Sequence, residues 1–151
     1  MATTGEVDAD EIWTHVTNID HRTIIARLQF RAEGPTRDEL AASGGALDKI
    51  HLVPIMGSVE DDFFVVGLSA RLCTGEYILE FQECVRFALD PPLPLSEGAV
   101  QLFGQDHALT FLMPYTEMGL RRLCADAGVK MPAFPFFVFG ERVLSTESQE
   151  D

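Results

Sequence analysis

The strongest hydrophobic pattern in the sequence lies in its C-terminal third, from residue 109 to residue 139. Apolar or small side chains recur there at spacings of three and four residues, which places them on one face of a helix. They are Leu109, Leu112, Met113, Thr116, Leu120, Leu123, Cys124 and Ala127. Pro114 lies inside the pattern and removes one backbone donor, so we expect the helix to kink or restart there. Gly128 and then Pro132 predict the end of the helix.

The segment that follows the predicted helix is almost wholly apolar. Phe134, Phe136, Phe137 and Phe139 are interleaved with Pro135, and prolines favour extended backbone. Two interpretations stay open. Either these side chains all belong to the core, or several of them line an exposed groove or a subunit interface.

Two strands predicted at residues 63–72 and 77–89 fit each other as a hairpin, because alternate positions of each are apolar. A two-residue turn at residues 74–75 would place Leu72 opposite Tyr77 and both apolar sets on one sheet face. A three-residue loop would put the two sets on opposite faces unless a bulge restored the phase.

Residues 22–32 and 49–56 predict two further strands. Every even position from Ile24 to Ala32 is apolar, which is typical of a half-buried strand. The strand at 49–56 is weaker, and its Pro54 suits a sheet edge because proline cannot donate to a ladder. The expected fold is therefore α+β: a four-stranded antiparallel sheet, covered on one face by a long proline-kinked C-terminal helix.

The rest of the chain adds little regular structure. Residues 11–21 have helix-like apolar spacing, and residues 33–48 indicate a long surface connection. No repeat or linker divides the sequence, so we expect one domain over residues 1–151, with flexible ends at 1–10 and 141–151.

Charge and composition narrow the possible partners. The chain has 24 acidic and 11 basic residues and a net charge of −13, so nucleic acid, which needs clustered Lys and Arg, is not an expected partner. The sequence shows no signal-peptide pattern and no apolar stretch long enough to span a membrane, which predicts a cytoplasmic protein without membrane insertion. Three cysteines without CxxC spacing indicate free thiols in a reducing compartment.

The sequence carries no recognisable catalytic, metal-binding or cofactor motif. Its four histidines are scattered without metal-ligand spacing, and it has no P-loop, GxGxxG or GxSxG. We interpret Glu80 and Glu83 as residues of a solvated sheet face, where acid–base catalysis has no support. We therefore expect a protein that is not an enzyme and that uses no metal or cofactor. Its distinctive feature is apolar surface, with eleven phenylalanines.

In order and spacing, these residues resemble the SecB export chaperones and the SecB-like chaperones of toxin–antitoxin–chaperone systems. The resemblance rests on Phe111-Leu112-Met113-Pro114-Tyr115, followed by Glu117, Leu120, Leu123, Gly128, Pro132 and the extended apolar segment. The preceding hairpin matches the central pair of strands in the family, and the likeness spans residues 22–139.

The resemblance implies an ATP-independent holdase that assembles as a homotetramer, a dimer of dimers. Its clients would be unfolded preproteins or an antitoxin, held in apolar grooves. The residues implied for client binding are Phe111, Met113, Tyr115, Phe134, Phe136, Phe137 and Phe139. The long helix would supply an oligomer interface through Leu120, Leu123 and Cys124, and Leu72 with Glu76 would dock a partner, for which the export motor SecA is a candidate.

Two departures from the export chaperones favour a specialised SecB-like protein with an antitoxin-type client. The residues after Phe139 are too rich in Glu and Ser for the family's second amphipathic helix, and the acidic surface that docks SecA is poorly reproduced. Two alternatives remain: a dedicated secretion-effector chaperone of another small acidic α+β family, and a small-molecule-binding or enzymatic domain.

Overall fold

A computed structural model describes residues 7–135 of the chain. Its strands are β1 (Val16–Phe30), β2 (His51–Val59), β3 (Phe63–Cys73) and β4 (Tyr77–Leu89), which form one antiparallel sheet in the order β1–β4–β3–β2. Its helices are α1 (Ala9–His15), α2 (Arg37–Ala42), α3 (Glu97–Phe103) and α4 (Leu109–Ala127). The α+β fold with a long C-terminal helix over a four-stranded antiparallel sheet is confirmed.

The β3–β4 hairpin keeps the predicted faces but not the predicted register. Leu72 lies opposite Leu79 and not opposite Tyr77, and Thr74 N–H donates to Tyr77 O, so the turn residues are 75–76. The Thr74 hydroxyl accepts from the backbone N–H groups of residues 76 and 77, which stabilises this turn. A shift of two residues leaves every side chain on its predicted face.

The first strand begins earlier than the sequence predicted. The helix expected within residues 11–21 ends at His15, and β1 continues from Val16 to Phe30. The expected half-burial of the even positions is also wrong, since Ile24 is 55% exposed and Phe30 is 56% exposed. The reason is tertiary: β1 is an edge strand, and α4 packs mainly over the inner strands.

A bulge at Ile24 divides β1 into two halves with opposite phase. Thr23 lies opposite Glu83, but Ile25 lies opposite Gln82 and Ala26 lies opposite Phe81. Because directly opposed residues in antiparallel strands share a face, odd positions face α4 before the bulge and even positions face it afterwards.

The helical layer covers one face of the sheet. α3 leads through a π-helical turn, Gly104–Ala108, into α4, which continues through Pro114 and ends at Gly128 in the left-handed conformation (φ 70°). The rings of Phe64, Phe87 and Phe103 meet between sheet and helices, with centroids 5.1–5.3 Å apart. Pro54 lies in the second edge strand, as its missing N–H predicted.

The connection expected at residues 33–48 contains α2, which the sequence analysis did not predict. Thr36 and Glu39 form a reciprocal capping box at its start, which satisfies two backbone donors of a short helix. Arg71 Nη1 donates to Ala42 O, and Cys73 Sγ lies 3.2 Å from Ser43 Oγ. These contacts hold α2 against the sheet face that lies away from α4.

Candidate functional site

The exposed apolar side chains of α4 lie on the flank of the helix that borders β1. Together with exposed side chains of β1 they form a surface that we call the β1–α4 groove: Ile19, Leu28 and Phe30 from the strand, and Phe111, Tyr115 and Met118 from the helix. Met118 is 66% exposed. Isolated exposed apolar residues are ordinary, but a continuous apolar surface marks an interaction site.

Ring and backbone contacts show that α4 runs alongside β1 in the same direction. Phe111 packs against Phe87, the partner of Ile19, while Tyr115 stacks on His21 at 4.2 Å. Further along, Gly119 lies against Phe81, the partner of Ala26. The contacts with α4 therefore follow the strand from Ile19 to Ala26, a distance of about 23 Å at the usual rise per residue. Leu28 and Phe30 extend the exposed apolar side chains of the strand beyond that stretch.

A cleft of about 380 Å³ opens in the middle of the groove. Residues of β1, β4 and α4 line it, including His21, Phe81, Tyr115 and Met118. Buried at the same place is the carboxylate of Glu83, whose side chain is only 4% exposed. A polar floor under an apolar rim can fix the orientation of a bound segment as well as bury it.

Both oxygens of the Glu83 carboxylate have a partner on β1. The Thr23 hydroxyl donates to Oε1 at 2.8 Å, and His21 Nδ1 lies 3.0 Å from Oε2. The interpretation of Glu80 and Glu83 as residues of a solvated face is therefore wrong, since both are buried. Glu80 lies on the opposite sheet face, where Arg71 Nε donates to it at 2.9 Å.

The other flank of α4 is polar. Thr110 is exposed there, and Glu117 pairs with Arg121 one turn later. The two flanks of the helix therefore offer different chemistry, and only the one beside β1 presents aromatic and thioether side chains. This asymmetry separates a candidate binding surface from an ordinary solvated helix face.

The residues predicted for client binding do not all come together. Phe111 and Tyr115 lie in the β1–α4 groove, whereas Met113 and Phe134 are buried in the core. The other predicted members, Phe136, Phe137 and Phe139, lie outside the described residues.

The residues predicted for the oligomer interface and for partner docking lie mostly inside the subunit. Leu120 and Cys124 are buried, Leu123 is half-buried, and burial raises the pKa of the Cys124 thiol. Leu72 is also buried, while Glu76 is exposed in the hairpin turn. From these positions Leu120, Cys124 and Leu72 stabilise the core.

Sequence reasoning missed the contribution of β1 to the groove. The bulge left little signal in the sequence, since Ile19 is the only apolar residue from position 17 to position 23. The partners of Glu83 could not have been found, because Thr23 and His21 are sixty or more positions away in sequence.

Within residues 7–135, no group of three or more His, Cys, Asp or Glu side chains is placed to hold a metal ion. None of the helices in the same range is long and apolar enough to cross a membrane.

Comparison with solved structures identifies the fold. The fold superimposes on the SecB-like chaperone Rv1957 of Mycobacterium tuberculosis, solved in complex with a ChAD peptide from the Rv1956 HigA1 antitoxin, with a TM-score of 0.55. This protein has a SecB-like fold. The match covers 85% of this chain and 94% of the other at 13% sequence identity. No protein-family model and no curated protein sequence matches the chain.

Proposed function

We propose that this SecB-like protein is an ATP-independent chaperone that binds extended or unfolded polypeptide in the β1–α4 groove. The observation that carries the proposal is the set of exposed apolar side chains on β1 and on the adjacent flank of α4, which lie on either side of the central cleft. Burial of apolar surface contributes about 25 cal/mol per Å² and requires no sequence code and no nucleotide. The stretch of about 23 Å that β1 and α4 share would contact roughly seven residues of an extended client, and such contacts add along one chain.

An antitoxin-type segment is the client that we favour. The structurally similar Rv1957 chaperone is bound to a peptide from an antitoxin, which supports a polypeptide ligand on this architecture. Unfolded export preproteins are the second class of client. Docking of SecA would rest on Glu76 alone, because Leu72, the other residue implied for it, is buried in the core.

Within residues 7–135 no strand pairs with the outer edge of β1, and this edge supports self-association. β1 runs for 15 residues without Pro or Gly, whereas β2, the other edge, contains Pro54, which removes a donor and discourages pairing. A long edge strand without such protection is a template for pairing with another strand. We therefore place the primary oligomer contact of the proposed assembly at β1, in place of Leu120 and Cys124.

Because of the bulge at Ile24, the first half of β1 in one copy can pair with the second half of β1 in another copy with matching faces. In an antiparallel pair of two β1 strands, Ile19 of one copy can lie opposite Leu28 of the other, because both face α4. The same register places Asp20 opposite Arg27, and both of these face away from α4. Two apolar pairs and two ion pairs would then form by symmetry, as expected for a two-fold interface.

Pairing of this kind would extend the client site. The groove of one copy would continue across the paired strands into the groove of the other, so that the floor of the joined site is sheet and its walls are the two α4 helices. A client could bind both copies at once, which raises its apparent affinity without new kinds of contact.

The test compares suppression of aggregation of a chemically denatured client by the parent protein and by variants. Met118→Asp and Tyr115→Asp place a charge in the groove on exposed positions, so we expect an intact fold and at least a several-fold loss of protection. Thr110→Asp adds the same charge on the polar flank of α4 and should protect like the parent. Circular dichroism and thermal unfolding monitor the fold. Equal protection by all three variants would exclude the groove as the client site.

A further inference from the structure

All arginines of the sheet lie on the face that points away from α4. Arg22 is opposite Cys84 and Arg27 is opposite Glu80 in the β1–β4 pair, while Arg71 is opposite Glu80 in the β3–β4 pair. Arg86 lies on the same face, between Asp20 and a valine of β3. A protein with a net charge of −13 has thus gathered four of its eleven basic residues on one side of one sheet.

The four arginines are not neutralised equally. At the α2 end, Arg71 and Arg27 share the buried Glu80, with Nε–carboxylate distances of 2.9 and 3.8 Å. Asp38 and Glu39 line the cleft beside them. The positive charge in this part of the face is therefore largely balanced by nearby carboxylates.

The excess of positive charge lies around Arg22 and Arg86. Both side chains are exposed. Asp20 pairs with Arg22, with Oδ2 3.1 Å from Nε, and lies opposite Arg86 in the strand register. Arg86 also lies over the ring of Phe63, 4.3 Å from its centroid, which holds the guanidinium flat against the sheet. Half-buried apolar side chains lie next to these arginines, among them Ile25 and Val65.

We propose that this face, centred on Arg22 and Arg86, docks an acidic segment of a partner polypeptide. The two residues are on adjacent strands and one side-chain step apart, so their Cα atoms are separated by about 8 Å. Carboxylates at alternate positions of an extended segment are about 7 Å apart and match that separation. Each guanidinium can hold a carboxylate with two hydrogen bonds, while the residues that lie before and after the two carboxylates on the same side of the segment contact the neighbouring apolar side chains.

The charge of the whole protein favours a polypeptide over nucleic acid. A long polyanion would be repelled by the net charge of −13, and phosphate-backbone binding needs a larger basic surface than two exposed arginines. A short acidic segment with apolar residues on either side of its two carboxylates can bind the arginines without extending far over the acidic surroundings.

This docking site is independent of the β1–α4 groove, because the two lie on opposite faces of the sheet. One subunit could hold a client on the helix side and an acidic partner on the other side. Client binding in the groove and docking of an acidic segment can each fail independently, because different residues and different assays test them.

The experiment uses fluorescein-labelled peptides of about ten residues, long enough to span the face. One has two Glu at alternate positions, with Val before and after them on the same side of the extended peptide and Thr at the positions between, and its match has Lys in place of Glu. We expect the Glu peptide to bind and to weaken with added salt, and the Lys peptide not to bind. Arg22→Glu and Arg86→Glu should each weaken binding of the Glu peptide about tenfold.

Arg121→Glu supplies the control, because it changes the net charge by the same amount but lies on α4, at the other face of the sheet. It should alter the affinity by less than about twofold. If a charge reversal disturbs folding, Arg22→Gln and Arg86→Gln repeat the binding test without introducing a negative charge. All of these variants should still suppress aggregation of a denatured client as the parent protein does. The proposal is overturned if the Glu peptide does not bind, if the reversals have no more effect than Arg121→Glu, or if a single-stranded oligonucleotide binds in its place.

Discussion

Gly119 of α4 lies directly on the ring of Phe81 in β4. A Cβ atom at residue 119 would come within 2.3–2.4 Å of three carbon atoms of that ring, closer than van der Waals contact allows. The missing side chain therefore sets how near α4 approaches the sheet beside the central cleft. The glycine is there because the helix must approach closely, although glycine weakens a helix by about 1 kcal/mol relative to alanine.

Gly119→Ala should destabilise the protein despite the better helix propensity of alanine. Overpacking of this kind costs about 1–3 kcal/mol, and the gain in propensity offsets only about 1 kcal/mol of it. Urea unfolding of the two proteins measures the difference in free energy of unfolding. Gly98→Ala in α3 is the matched control, because its Cβ would meet only Ser96 Oγ at 3.8 Å, and it should be neutral or slightly stabilising. Adding Phe81→Leu to Gly119→Ala should restore part of the loss.

Leu120→Ala should destabilise the fold by about 2–5 kcal/mol, since Leu120 is fully buried and the substitution leaves a cavity. Met118→Ala, two positions away on the exposed flank, should change stability by less than about 0.5 kcal/mol while reducing client protection. Urea unfolding and the aggregation assay give the two readouts. If Leu120→Ala were neutral for folding but dissociated the oligomer, Leu120 would be an interface residue after all.

Charge reversal tests the β1 interface. Asp20→Arg or Arg27→Asp alone should place like charges opposite each other across the two-fold axis and raise the dimer dissociation constant several-fold. The double variant, Asp20→Arg with Arg27→Asp, should recover part of the affinity, because each pair between subunits is restored with its signs exchanged while the contacts of these positions with Arg22 and Glu80 inside each subunit are not. Sedimentation equilibrium over a dilution series measures this. A monomeric parent, or a double variant no better than the singles, would rule out this register.

Stability should depend on pH through Glu39. Hydrogen bonds from Arg31 and Thr36 lower the pKa of Glu39 from 4.5 to about 2, so its contribution is fully present above pH 4.5 and is lost as the pH falls towards 2. The difference in unfolding free energy between the parent and Glu39→Gln should therefore be constant near neutral pH and shrink below 4.5. Glutamine can still accept the hydrogen bond at this capping position. The substitution Glu39→Gln therefore removes only the contribution of the charge to stability. In an Arg31→Gln background the pH dependence should be weaker; an unchanged dependence would assign it to other groups.

The amphipathic face of α4 was predictable because it follows from local spacing. The buried residues of α4 repeat every three or four positions, and Gly128 ends the helix where its conformational freedom is needed. The strands of the β3–β4 hairpin were predictable for the same reason. Their register was not predictable, because two-residue turns at 74–75 and at 75–76 give every side chain the same face. Hydrogen bonds to the Thr74 side chain favour the turn at 75–76.

The sequence by itself determined the elements: which segments are helix or strand, the faces of the central hairpin, and an excess of aromatic side chains. Only the tertiary structure decided which apolar residues stay exposed, since Phe30 becomes solvent-accessible when β1 takes the sheet edge and α4 packs over the inner strands. It also decided the burial of Glu83, whose partners come from a distant strand. Local periodicity reports the direction of a side chain, whereas burial depends on what the rest of the chain places above it.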